Sequence, residues 1–196
     1  MTDISVIILI GQEKIHLKRC IERLAPLDPK CIWLIESQPD DGGVAIAKET
    51  AAEYGLTLKT VYNKWPGLHA KQFNWALDYV CEPQVPSGRS DLARSDVPTS
   101  VSLREPSARS ASCQGLSQWI LRLDADENLT EETSARLKEE LPKLSEDVAG
   151  LTLELKRRFC GREIRHATNG IRLLRIWRAV AEQLVAAYQQ VLATPG

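Results

Sequence analysis

The sequence predicts an α/β fold with a doubly wound, mostly parallel sheet. Short apolar runs alternate with stretches of helical period, at the spacing of successive βαβ units. The first run, Ile4 to Ile10, is unbroken and rich in β-branched residues, the mark of a strand buried on both faces. The run that opens at Trp119 ends in two carboxylates, Asp124 and Asp126, and an open α/β sheet places its ligand crevice at the C-terminal ends of its strands.

Gly11 closes the first strand. Lys14 to Leu24 then sets Leu17, Cys20, Ile21 and Leu24 on one helical face, and Pro26 stops the helix. Cys31 to Ile35 reads as a second buried strand, and Pro39-Asp40-Asp41-Gly42-Gly43 as a turn. Val44 to Tyr54 is a helix with Gly55 as its left-handed cap. Thr57 to Tyr62 is a third strand, Trp65-Pro66-Gly67 a loop, and His69 to Val80 a helix. Residues 82–118 hold nine Ser, four Arg and four Pro with no aromatic residue, so they cannot bury enough surface to offset their ordering entropy. That stretch reads as a disordered insertion. Beyond the acid pair, Thr130 caps a helix led by Glu131 and Glu132 and ending near Leu141-Pro142. Leu151, Leu153 and Leu155 alternate with polar residues, a strand with one wet face. Phe159-Cys160-Gly161-Arg162 is a tight turn, Ile171 to Trp177 a further strand, and Ala179 to Leu192 a last helix. The expected organisation is one domain over residues 1–178, interrupted by the insertion 82–118, with a C-terminal helix and tail over 179–196.

Composition narrows the function. A formal net charge of −1 provides no global basic field for nucleic acid, so an anionic substrate has to be held locally. Val6 to Ile10, the longest apolar run, is too short to cross a bilayer, and no secretory leader is visible. Five scattered cysteines without a CxxC spacing argue against zinc and disulfides and for a reducing cytoplasm.

In an extended chain residues two apart point the same way, so Asp124 and Asp126 are expected to converge on one point at the sheet edge. Two hard oxygen ligands beside open space suit Mg²⁺ or Mn²⁺, which then reaches a phosphate. Two rival readings fail on spacing. An EF-hand loop from Asp124 needs Gly and Glu where Leu129 and Ala135 stand. An aspartyl phosphatase carries its motif on the first strand. No glycine-rich phosphate cradle is present, which leaves phosphate neutralisation chiefly to a metal. Glu36, at the end of the second strand, is placed to accept hydrogen bonds from a base or ribose. The cations Arg172, Arg175 and Arg178 read most simply as a solvated basic edge, and His166 as structural.

The order of these features resembles family 2 glycosyltransferases of the GT-A fold, and most of all the lipopolysaccharide-core glucosyltransferase branch. The resemblance lies in Gln12-Glu13 after the first strand, Glu36-Ser37 leading to Asp41-Gly42, and Trp65-Pro66-Gly67. It continues through Lys71-Gln72-Phe73-Asn74-Trp75-Ala76-Leu77 to Leu123-Asp124-Ala125-Asp126-Glu127, and covers residues 4–80 and 119–178. It implies a GT-A-like sheet with a shortened C-terminal part, and metal-assisted, inverting transfer of a sugar from a nucleotide-sugar to a glycan or lipopolysaccharide-type acceptor. By position it implies nucleotide-binding roles for Glu36, Asp41, Lys71 and Asp124, and a divalent Mg or Mn held by Asp124 and Asp126. Arg162 to His166 and Arg172 to Arg175 fall on the acceptor side. It also implies work at the cytoplasmic face of the inner membrane, with peripheral contact at most. No catalytic base is assigned, because the family's base lies in a later segment and Glu182 is the only carboxylate after Glu163. Two alternatives stand beside it: a truncated, non-catalytic remnant that binds nucleotide-sugar, and a nucleotidyl- or phosphotransferase using the same acids.

Overall fold

The computed structural model describes residues 1–38, 41–81, 117–160, 162–164 and 171–179. The expected insertion over 82–118, all but its last two residues, and the expected C-terminal helix after Ala179 lie outside the described residues, as do Arg165 and His166. In chain order the elements are β1 (Thr2–Ile10), α1 (Lys14–Glu22), β2 (Pro29–Glu36), α2 (Gly43–Glu53), β3 (Leu58–Tyr62) and α3 (His69–Cys81). These are followed by β4 (Trp119–Asp124), α4 (Glu131–Glu140), β5 (Gly150–Glu154), β6 (Arg158–Phe159), β7 (Arg162–Glu163) and β8 (Arg172–Arg178).

Six strands form one sheet in the order β3-β2-β1-β4-β8-β5, and β6 and β7 form a small separate hairpin. Pairs β3/β2, β2/β1 and β1/β4 are parallel, whereas β8 runs antiparallel to both β4 and β5. The alternating pleat of β1 explains the two cores. Ile4, Val6, Ile8 and Ile10 face Leu17, Cys20 and Ile21 of α1 and Val44, Ala47 and Ala51 of α2. Ile7 and Leu9 face the opposite side, with Phe73, Ala76 and Val80 of α3. A strand enclosed on both faces is apolar on both, and that is why Val6 to Ile10 shows no alternation, while the buried Ser5 is satisfied by a hydrogen bond. Each fully buried Ile or Leu here contributes about 1.5–3 kcal/mol over exposure.

The helices pack where the sequence places them. Gly43 lets α2 approach α1, because an added Cβ would stand 2.7 Å from Leu17 Cδ1. Gly55 closes α2 in the left-handed region at φ 66, and the N–H of Leu56 bonds the carbonyl of Ala51 at 2.8 Å. Thr130 caps α4 through its hydroxyl, which accepts from the N–H of Thr133 at 3.1 Å. Helix α1 ends at Glu22, two residues before the expected Leu24, and a short 3-10 turn over Ala25–Leu27 brings Pro26 into the chain. Ser117, two residues before Trp119, is buried, and its hydroxyl bonds that of Ser5 at 2.8 Å.

Candidate active site

The strand order reverses between β1 and β4: successive strands extend outward from β1 to β3, then the chain returns to the other side of β1. Such a reversal opens a crevice above the C-terminal strand ends, where α/β sheets bind ligands. Leu9 lies opposite Asp124, Ile10 opposite Glu36, and Glu36 opposite Tyr62. Glu36 and Asp124 therefore flank the end of β1, about 10 Å apart across two strand spacings. The Gly11–Glu13 loop rises between them. Ser37 ties the rim together, with its N–H and hydroxyl both donating to the carbonyl of Ile10, at 3.1 Å and 2.8 Å.

Asp41 is held by backbone. One oxygen accepts from the N–H of Lys14 at 3.3 Å and the other from the N–H of Gly43 at 2.9 Å. Its carboxylate so joins the starts of α1 and α2, where the helix dipoles favour negative charge. Lys71 is exposed in the first turn of α3. Its neighbour Gln72 is fully buried and locks α3 to the end of β3: its carbonyl accepts from Asn63 Nδ2 at 2.8 Å, and its amide donates to the Asn63 carbonyl at 3.2 Å.

The acid pair departs from the extended geometry expected of it. The strand ends at Asp124, and Ala125 and Asp126 occupy a turn. The physical reason is Glu127. Its N–H bonds the Asp124 carbonyl at 2.9 Å, and its side chain accepts from the Asp124 N–H at 3.1 Å, which closes the turn. Asp126 projects outward, exposed, from this turn. Asp124 is half-buried. Its Oδ1 meets Arg122 at 3.3 Å and its Oδ2 meets Arg175 at 3.4 Å, and the same Arg175 guanidinium also pairs with Glu127.

Glu13, whose role the residues alone did not disclose, completes the group. Its Oε2 is buried without a hydrogen-bond partner among the described residues. Burial first, then the charges of Asp126 and Asp124, raise its carboxyl above the usual range. Both acids of the turn thus act on Glu13, although they do not share one face of a strand. Burial also raises Glu127, against the lowering effects of the Asp124 N–H and of Arg175. The same negative field reaches Cys20, whose thiol is pushed up to about 12, mainly by burial and then by Glu127 and Asp126.

The three arginines of the last strand are not a solvated edge. Arg172 is exposed, but Arg175 and Arg178 are 9% and 4% exposed. Arg178 donates to the carbonyls of Val148 at 3.0 Å and Ser145 at 2.7 Å, and lies over the Trp119 ring. It secures the loop before β5. Sequence spacing hides this, because strand pairing decides which cations turn inward.

The cluster suits a hard divalent cation. Glu13, Asp124, Asp126 and Glu127 against Arg122 and Arg175 leave a formal surplus of two negative charges, and every anionic donor is oxygen. Among the described residues no three His, Cys, Asp or Glu side chains are grouped to hold a metal unaided. Mg²⁺ does not need such a cage, since it keeps several waters and takes one or two carboxylates with substrate phosphates.

A switch-point crevice on a six-stranded, mostly parallel sheet, with acids at its lip, defines a GT-A-like α/β fold. One solved structure agrees in fold: S. aureus TarS 1–349 matches with a TM-score of 0.51 at 14% identity, over 96% of this chain and 49% of that one. A longer TarS structure matches at a TM-score of 0.49 and 13% identity, over 91% of this chain and 28% of that one. A putative glucose-1-phosphate thymidylyltransferase from Bacillus anthracis matches at 0.48 and 11%, over 97% and 76%. This chain thus spans from 28% to about half the length of the two TarS structures. No protein-family model matches the sequence, and no curated protein matches it. Among the described residues no helix is long and apolar enough to cross a membrane.

Proposed function

We propose that this chain is a metal-assisted glycosyltransferase that moves a sugar from a nucleotide-sugar donor to a glycan or lipopolysaccharide-type acceptor, with inversion. The observation that carries the reading is the doubly negative acid cluster at the switch point, set beside Glu36 across the end of β1. Glu36 accepts hydrogen bonds from the base or ribose. Asp41, engaged by two helix starts, shapes the floor of the nucleotide site. Lys71, at the exposed start of α3, faces the phosphates. Asp126 and Asp124 hold Mg²⁺ or Mn²⁺, with Asp126 the more accessible of the two. When bound, such an ion supplies Lewis-acid stabilisation of the leaving diphosphate.

The chain's own residues contribute position and charge. An acceptor hydroxyl forms the new bond at the anomeric carbon while the bond to the diphosphate breaks on the opposite face, and the hydroxyl proton passes to a carboxylate base. No described residue is assigned as that base. The work is set at the cytoplasmic face of the membrane, with peripheral contact.

The test is a calorimetric titration of the full chain with UDP-glucose and other nucleotide-sugars, with and without Mn²⁺, followed by an assay for sugar release or transfer. Asp126→Ala is expected to abolish Mn²⁺-dependent binding, and unchanged affinity would refute the assignment. Binding without transfer by the wild type would select a nucleotide-sugar-binding protein that is not an enzyme. Phosphate transfer in place of sugar transfer would select a nucleotidyltransferase.

A further inference from the structure

We propose that Arg175 is a positioning residue for the acid turn, holding Asp124 and Glu127 so that Asp126 presents its carboxylate to the cation. This rests on the metal-assisted reading of the site. The geometry begins with an irregularity in the sheet. Pairing between β5 and β8 passes from Leu151–Ile176 directly to Thr152–Leu174, so Arg175 is the additional residue of a β-bulge. Bulges re-aim a side chain and are frequent next to active sites. Here the bulge delivers a guanidinium into a half-buried cluster of acids, where its side chain is only 11% exposed.

The contacts close a ring. Arg175 donates to Asp124 Oδ2 at 3.4 Å and to Glu127 Oε1, and Glu127 Oε2 accepts from the Asp124 N–H at 3.1 Å. Arg122 grips the other oxygen of Asp124 at 3.3 Å. Asp124 is thus fixed from both sides by cations, and Glu127 is fixed at both of its oxygens. The residue they enclose, Asp126, is the member left exposed. Without a guanidinium between them, Asp124 and Glu127 would repel each other in a poorly solvated place and the turn would open. Both contacts leave the same Nη2. Lysine keeps the charge, but its ammonium ends one bond short of that nitrogen and lacks the rigid plane that aims it. Arg178 provides the contrast three residues on, because its bonds go to backbone carbonyls and it serves the fold.

The test uses the full chain, with Mn²⁺ alone as the probe, followed by electron paramagnetic resonance of free and bound ion. Folding is checked by circular dichroism and thermal melting. Partners that orient metal ligands typically change metal affinity ten- to a hundredfold when replaced, so Arg175→Lys is expected to weaken Mn²⁺ binding about tenfold or more and to change the bound-ion spectrum. Arg178→Lys is expected to lower the melting temperature and leave Mn²⁺ affinity in place, as a merely structural role predicts. Arg175→Met removes a positive charge, so simple electrostatics predicts tighter binding, whereas a positioning role predicts weaker binding. Affinity of Arg175→Lys within about twofold of wild type, or tighter binding by Arg175→Met, overturns the inference while Asp126→Asn still abolishes binding. If wild type takes up no Mn²⁺, or Asp126→Asn binds as wild type does, the metal-assisted reading itself falls and the inference with it. Should Arg175→Met fail to fold, Arg175→Lys decides.

Discussion

At the scale of single residues, the chemistry concentrates in groups that pay attention to charge more than to sequence neighbours. Glu13 comes from the loop after β1, and Asp124, Asp126 and Glu127 from the turn after β4, yet they form one electrostatic unit. A carboxyl whose pKa is raised in the fold binds its proton more tightly there than in the unfolded chain. Its stabilising contribution is therefore complete below the ordinary value of 4.5 and is lost as pH rises through the raised value. In the presence of a chelator, Glu13→Gln is expected to melt above wild type at neutral pH, with the gap closing as pH falls towards 4.5. Melting curves across that range check the sign, and a gap that widens on acidification contradicts the assigned cause. The Asp-Ala-Asp spacing was legible in the sequence, and so was its place at the end of an apolar strand. That Arg175 would reach Asp124 across 51 positions was not, because that bond is made only after the strands have paired; the turn that Glu127 closes was missed because an apolar run does not mark where the extended chain ends.

Among the elements, hydrophobic periodicity located every strand of the main sheet and each described helix to within a few residues. The reason is that burial of one stripe or of both faces is what makes these segments fold at all. Boundaries moved where a local bond intervened, as at Glu22, where α1 yields to the turn that contains Pro26. The direction and neighbours of β8 were not legible. A short apolar run has the same composition whether it pairs parallel or antiparallel, and its bulge leaves no sequence mark. Helix α3 offers a direct test of the second core. Phe73 is fully buried and packs 5.3 Å from the Trp177 ring, joining α3 to the antiparallel part of the sheet. Phe73→Ala is expected to cost about 3–5 kcal/mol in a urea unfolding series. A loss below about 1 kcal/mol would show that this face carries little of the fold.

For the whole molecule, the sheet is most enclosed at its centre and most open at its edges. β1 lies between β2 and β4 and is covered by helices on both faces, whereas β5, among the described residues, pairs with β8 on one side only. Opening free energies should follow that gradient. Hydrogen exchange read by mass spectrometry is expected to show slow exchange for peptides from β1, β2 and β4, and fast exchange for β5. The reverse order would place the stable unit elsewhere.

By itself the sequence determined the class of fold, the central strands, the helices that cover them and the place of the acid pair at the end of β4. Each of these is written in local patterns, because the periodicity of burial and the chemistry of strand ends repeat within a few residues. Tertiary structure alone decided that Glu13 joins the acids, and that Arg175 and Arg178 face inward to different tasks. Those outcomes depend on strand order and register, which bring together side chains that no stretch of sequence holds side by side.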